Sequence, residues 1–332
     1  MWDSYVAARP DGYNQHRWIF RDAIEKTFGH KPYYLTATEG AEVRGILPMF
    51  SIKSRLFGHS MVSLPFFSYG GILADDDGTR GALIREAIKI AGDLKINHIE
   101  LRQGDSISGG TDLHDRAEKI TMEVLLPNKP EELWAKLSTG MRNKIRKGQK
   151  SDLRVEWGGE EKLDAFYPVF AENMRNLGTP VYPKRWFKAL CDAMPGQIKI
   201  MTLYDGALAV ASAFLMPYGD RLELPWSASV PESRKKYSHV LMYWLFLEYA
   251  IQQGFKRMDL GRCTVGGGTY EFKRHWGCEE RPLHWYHWVA PGSAVPELKP
   301  ESKKFQMAIE IWKRLPLPVA NFVGPHIVRA LP

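Results

Sequence analysis

A mixed α/β fold present in two tandem copies is what this sequence predicts, and three observations carry the prediction. Helix-period and strand-period apolar segments recur in the same order about 160 residues apart. A basic stretch of helical period lies between the two copies. A glycine-rich loop behind a strand signal, RMDLGRCTVGGGTYEFKRHWG at 257–277, closes the second. Length agrees, since 332 residues make about two domains at roughly 150 each. With 44% hydrophobic and 25% charged residues the chain has enough apolar material for real cores.

In the first copy, Trp18, Ile19, Ile24 and Phe28 keep loose helical spacing before the stop at Gly29, which predicts a helix within 13–28. Tyr33–Ala37 and Val43–Ile52 read as a hairpin turning at EGAE, and Met61–Phe67 as a third strand. Leu83, Ile84, Ala87, Ile88, Ala91 and Leu94 recur at steps of three and four, as a helix does, and HIELR at 98–102 returns as a strand. The second copy repeats the order. Helices are expected at Phe166–Met174 and Arg185–Met194, strands at Ile198–Tyr204 and Ala207–Met216, and a helix at Ser238–Gln253 that stops at Gly254 before the strand MDLGR. SLPFF at 63–67 is echoed by ELPWS at 223–227. Helix, three strands, helix, strand makes mixed α/β layers rather than a doubly wound parallel sheet. The domains are expected at 1–127 and 128–290, the second including the basic junction helix, with a linker and helical tail at 291–332. In that tail PGSAVPELKPESKK is linker-like and Phe305–Leu315 is a short amphipathic helix. The tail is expected to pack across the two domains, with peripheral membrane contact as the alternative.

Forty-five Lys and Arg against 38 Asp and Glu leave +7, which suits phosphates, tRNA or an acidic membrane surface and equally suits plain solubility. Three cysteines without C-x-x-C spacing indicate neither a disulfide framework nor a zinc ribbon, so a reduced cytoplasmic setting is expected. The first residues lack a signal peptide's basic start and apolar core, and the longest apolar run, Val240–Leu247, is far below the ~20 residues of a membrane span. There is no G-x-x-x-x-G-K-[ST], G-x-S-x-G, H-E-x-x-H or strict G-x-G-x-x-G, which leaves ATP hydrolysis, serine hydrolysis and a zincin site without support. His284 and His287, three apart in a strand, would face opposite sides, so no metal is expected between them.

The glycines at 266–268 permit positive φ and close backbone approach, and Arg262, Tyr270, Phe272, Lys273, Arg274 and Trp276 surround them. The loop is either a site or a flexible spacer in a surface hairpin. At the junction, Leu133, Trp134, Leu137, Met141 and Ile145 keep helical spacing while Arg142, Lys144, Arg146, Lys147 and Lys150 crowd together, as a solvated face or as an anion-binding one. Tyr182 and Trp226 line an acceptor groove or sit in the core. Asn173, Arg175 and the proline-stiffened loop 177–183 position a ligand or merely connect.

The basic L-S-x-x-x-R-x-x-I-R-K helix followed by a valine-rich strand, the two similar halves and the late Y-x-F-K-x-x-W-G segment resemble the FemAB peptidyltransferase family. HKPYYLTA, LFGHSMVSLPFFSYGG, NMRNLGTPVYPKRWF and GTYEFKRHWG look most like the FemAB-related proteins of exosortase (PEP-CTERM) and exopolysaccharide systems. The resemblance spans nearly all of residues 1–290. It implies two tandem domains of the acyltransferase fold called GNAT, with the site in a channel at their boundary. It also implies transfer of an amino acid from aminoacyl-tRNA to the amine of a cell-envelope precursor, peptidoglycan in the better-known members, or a polysaccharide-linked acceptor. Lys273 would stabilise the transferring carbonyl and Phe272 exclude water beside it. Arg142, Arg146 and Lys147 would hold precursor phosphates or the donor, through contacts that suit a planar guanidinium. Arg262 is a further anion ligand unless it pairs with Asp259 or Glu271.

No general base stands out. Asp259 and Glu271 are candidates by position, Tyr270 can shuttle a proton, and His239 and His275 read first as packing. A coenzyme A donor needs its pyrophosphate cradled at a helix N-terminus, and the turn that would do this, SRKKYSHVLMYW, has no glycine, although Arg234, Lys235 and Lys236 can compensate. An N-acyltransferase using acyl-CoA or acyl carrier protein is therefore the second reading. A non-catalytic anionic-glycan or nucleic-acid binding module is the third. No permanently bound cofactor and no DNA partner are expected, and the location is cytoplasmic, peripheral at the inner membrane at most.

Overall fold

The computed structural model describes residues 1–54, 58–107, 113–293 and 303–331, and its elements follow the predicted order. First come helices α1 (Trp2–Ala8) and α2 (Ile19–Phe28), strands β1 (Lys31–Glu39), β2 (Glu42–Ser54), β3 (Gly58–Val62) and β4 (Leu73–Ala74), helix α3 (Asp77–Asp93), and strands β5 (His98–Gln103) and β6 (His114–Leu125). Then come α4 (Pro130–Lys136), α5 (Thr139–Gln149), β7 (Leu153–Gly158), α6 (Leu163–Asn176), α7 (Lys184–Ala193), β8 (Lys199–Asp205), β9 (Leu208–Tyr218) and β10 (Arg221–Ser229). The chain continues through α8 (Ser238–Gln252), β11 (Arg257–Cys263), α9 (Gly268–Arg274), β12 (Glu279–Val289), α10 (Lys303–Lys313) and α11 (Leu317–Val328).

Two compact units divide these elements, and neither is contiguous in sequence. The first comprises Met1–Ile120, Pro282–Lys299 and Arg329–Pro332; the second comprises Thr121–Arg281 and Pro300–Val328. Residues 282–289, counted by sequence with the second domain, fall in the first unit because β12 runs antiparallel to β5, with His287 opposite Glu100. Most of the expected linker, residues 294–302, lies outside the described residues.

Each unit pairs its strands in the same way. In the first, β1–β2 and β2–β3 are antiparallel, and Ser60–Val62 of β3 then runs parallel to His98–Glu100 of β5. In the second, β8–β9 and β9–β10 are antiparallel, and Arg221–Glu223 of β10 runs parallel to Arg257–Asp259 of β11. A parallel neighbour requires a crossover, supplied by α3 in one unit and α8 in the other. The mixed, duplicated pattern expected from the sequence is thus present at the level of strand direction.

The cores follow from periodicity. The α3 residues Leu83, Ile84, Ala87 and Ala91 bury their stripe against Leu47, Met49, Met61, Ile99 and Leu101. The helix α8, apolar on almost every side, is correspondingly sunk in the second core, where Val240, Leu241, Trp244, Phe246, Leu247, Ala250 and Ile251 are all buried.

Three local expectations change. The third strand stops at Val62, because Leu64 (φ 43°) and Phe66 (φ 75°) take left-handed conformations that turn the chain. The SLPFF segment is therefore a turn, whereas its echo ELPWS lies within β10. The junction is two helices: Leu137 is extended, and the Ser138 hydroxyl accepts from Met141 N at 3.2 Å and restarts the helix as α5. The last segment, PLPVANFVGPHIVRALP, carries the helix α11. Both tail helices pack on the second unit at α6 and the loop after it: Arg175 Nη1 donates to Leu315 O at 3.2 Å, and a Cβ on Gly324 would meet Val181 N at 2.9 Å.

Candidate active site

The stretch Asp259–Lys273 builds its own geometry. Past Asp259 the pairing of β11 with β10 ends, and Gly261 enters the left-handed region at φ 78°, where the Asp259 carboxylate accepts from its N–H at 2.7 Å. The side chain of Asp259 also accepts from Thr121 Oγ1 at 2.8 Å, so this buried carboxylate is engaged in holding β11. Of the three consecutive glycines only Gly266 needs positive φ (76°), while Gly267 caps α9 and Gly268 begins it. The segment after the glycines is a helix, and Lys273 lies in its last turn.

Lys273 is 3% exposed, so it is not a solvated surface charge. Its Nζ donates to Gly261 O at 2.7 Å and to Arg262 O at 3.2 Å, the carbonyls just past the end of the β10–β11 pairing. Burial lowers its pKa, while Cys263, Asp259 and Cys278 pull upward. Beside it, Cys278 Sγ donates to Lys273 O at 3.1 Å, and burial pushes that thiol up to about 12. None of Cys191, Cys263 and Cys278 is in a disulfide. An ammonium has three donors, and two carbonyls occupy two of them, which leaves one N–H for a developing negative charge.

The neighbours divide into two kinds. Phe272 packs edge-on to Tyr243 at 4.8 Å and against His239 at 5.4 Å, as an apolar wall. The Tyr270 hydroxyl donates a hydrogen bond to the Glu280 carboxylate at 2.7 Å, a bond that raises the phenol's pKa and ties α9 to β12. Arg262 is exposed on β11 next to the carbonyl that Lys273 holds, and Glu271 pairs with Arg274 at 3.5 Å.

The basic helix α5 buries Met141, Ile145 and Gly148 and turns its cations outward. Gly148 sits close against α8, since a Cβ there would meet Leu241 Cβ at 3.0 Å. This places Lys147 Nζ 5.6 Å from the ring of Tyr237, the residue that caps α8. Arg146 lies over Trp134 at 5.3 Å and donates to Asn143, and Arg142 reaches Thr139 Oγ1 at 3.4 Å while its buried Nε has no partner. The sequence ranked His239 low, yet it is where these parts meet. It opens α8, touches Phe272, and has its pKa lowered by burial and then by Arg234 and Lys144, with Nδ1 buried and without a hydrogen-bond partner. The basic cluster and the N-terminal end of a 15-residue helix dipole thus sit beside the wall of the Lys273 site.

The other expected residues lie elsewhere. Trp226 is a core ring, 8% exposed and edge-on to Phe187 (5.1 Å) and Phe214 (5.5 Å), and Tyr182 stands edge-on to it at 5.9 Å. Arg175 holds the tail through Leu315, and Asn173 is half-buried on α6. An open cleft of about 470 Å³ lined by Asp164, Pro168, Glu172, Tyr204, Leu208 and Val230 contains none of the proposed site residues. In the first unit, His287 finds a neighbour across the sheet rather than along its strand: its Nδ1 lies 2.9 Å from His98 Nε2, near the Glu100–Arg102 ion pair.

Residues 135–274, which contain α5, the α8 N-terminus and Lys273, match the family model described as an acetyltransferase (GNAT) domain. The whole chain has the fold of two tandem GNAT-like domains with a C-terminal helical tail. Among solved structures it is similar to FemX, at 15% identity over 94% of this chain and 98% of that one, with a TM-score of 0.70. It is also similar to the C-terminal domain of a putative lysylphosphatidylglycerol synthetase from Agrobacterium fabrum (11% identity, 88% and 91% covered, TM-score 0.59). A tandem GNAT protein of the clavulanic acid biosynthesis pathway is a third (11% identity, 87% and 93% covered, TM-score 0.55). No curated protein matches the sequence.

Proposed function

We propose that this protein is an aminoacyl- or acyltransferase that forms an amide on an amine of a cell-envelope or exopolysaccharide-related acceptor. The observation that carries the reading is Lys273, a buried ammonium with one uncommitted donor inside the region that matches a GNAT domain. In the reaction, the acceptor nitrogen forms a C–N bond to the donor carbonyl, the ester or thioester bond to the leaving group breaks, and the amine's proton passes to the departing oxygen or sulfur. Lys273 faces the oxyanion of the intermediate, and Phe272 keeps water from competing. Lys144, Lys147, Arg234 and the start of α8 hold phosphates of the donor, with Arg142, Arg146 and Arg262 as further anion contacts.

Aminoacyl-tRNA is the proposed donor, on the sequence's resemblance to the FemAB family and on the turn 233–238, where Tyr237 rather than glycine takes φ 56°. Acyl-CoA is the second reading, supported by the description of the matching family as an acetyltransferase. Isothermal titration separates them: CoA binding without aminoacyl-tRNA binding reverses the order. For the reaction itself, mass spectrometry of envelope and polysaccharide fractions with and without the gene should show one acceptor losing the mass of the transferred group. Complementation with Lys273→Ala should leave the acceptor unmodified, since loss of one oxyanion donor costs about a hundredfold or more. Full modification by that variant removes Lys273 from the chemistry.

A further inference from the structure

We propose that the outer face of the tail helices α10 and α11 docks this protein on an anionic lipid bilayer. In the second unit five large apolar side chains stand exposed on or beside the tail: Met307 (62%), Ile311 (57%), Val319 (43%), Phe322 (75%) and Leu177 (60%). Leu177 stands beside α10, since the next residue, Gly178, lies against Ile309, where a Cβ would approach Ile309 Cγ2 to 2.4 Å. Met307 and Ile311 are four apart on one helix, Val319 and Phe322 three apart on the next, so each pair shares a face. These helices already spend their opposite sides on the protein: Ile309 of α10 lies against Gly178, and Ala320, Gly324 and Val328 of α11 are buried.

Charge selects the occupant. From Lys303 to Val328 there are four Lys or Arg and one acid, Glu310, and Lys313 already pairs with that acid at 2.7 Å. Lys313 and Arg314 follow directly on the apolar turn of α10 that carries Ile311, with Trp312 between, the arrangement in which an interfacial helix buries its apolar side at the headgroup boundary and sets its cations among lipid phosphates. A second copy of the same surface would instead bring like charges together. Among the described residues no helix is long and apolar enough to cross a membrane, so the contact is one of surface docking. This inference is independent of the donor and of the reaction at Lys273.

The test is co-sedimentation of the full chain with vesicles of phosphatidylcholine plus phosphatidylglycerol, compared with vesicles of phosphatidylcholine alone. The expected result is preferential binding to the anionic vesicles that weakens with salt and falls about tenfold or more in Ile311→Asp/Phe322→Asp. The variant's thermal unfolding should match wild type, because both side chains are exposed. No binding by the wild type overturns the proposal, as does binding that the double variant retains. Sedimentation velocity covers the other occupant: a wild-type dimer that becomes monomeric in the variant, without vesicle binding, assigns the face to a second copy and overturns the lipid assignment.

Discussion

Two of the three protons on Lys273 go to the carbonyls of Gly261 and Arg262, so this side chain is a structural tie as well as a candidate catalyst. The two roles have separable signatures. Lys273→Met should lose about 1–3 kcal/mol of stability, because two carbonyls lose their donor, and should also lose turnover per folded molecule. A loss of stability with turnover intact assigns Lys273 to structure alone. The sign of the pH effect is fixed by burial. The folded pKa lies below 10.5, so between that value and 10.5 the unfolded chain binds more protons, and wild-type stability relative to Lys273→Met rises with pH across that window. Urea unfolding of both proteins along an alkaline series measures this. Trp226 makes the opposite case. Trp226→Ala should cost about 3–5 kcal/mol in thermal or urea unfolding, the cost of emptying an aromatic core site. A stable variant with a raised acceptor KM would return Trp226 to the acceptor groove. The sequence alone left Trp226 undecided, since composition does not say which side of a strand faces the core.

At the scale of elements, the contact between α5 and α8 joins the basic cluster to the apolar wall. Gly148→Ala puts a methyl 3.0 Å from Leu241 Cβ. The helices must separate by a few tenths of an ångström, which should cost about 1–3 kcal/mol and weaken donor binding, leaving turnover at saturating donor unchanged. Unchanged donor affinity in a destabilised Gly148→Ala would detach α5 from the donor site. The cations of α5 were visible in the sequence, as was its apolar stripe. The break at Ser138 was less so, because Leu133, Leu137, Met141 and Ile145 keep their spacing across it, and the N-cap bond that restarts the helix is a local side-chain choice.

For the whole molecule, histidine burial predicts acid lability. Burial lowers His16, His30 and His98 to about 4 each, all in the first unit. Between 6.5 and about 4 the unfolded chain takes up these protons first, so stability is present above 6.5 and is lost as pH falls through that window, by up to about 3 kcal/mol per histidine. Urea midpoints should fall steeply below pH 6.5, and a flat profile down to pH 4.5 would contradict it.

The sequence by itself determined the element order, the duplication and the basic junction, because periodicity, turn residues and short motifs are local and survive in one dimension. Only the tertiary structure decided that residues 282–289 complete the first unit, that Lys273 is buried on a helix against two strand carbonyls, and that His239 packs against Phe272 with its pKa lowered by burial, Arg234 and Lys144. Those facts depend on strand pairing and helix packing between residues tens to hundreds of positions apart, and sequence spacing does not encode such contacts.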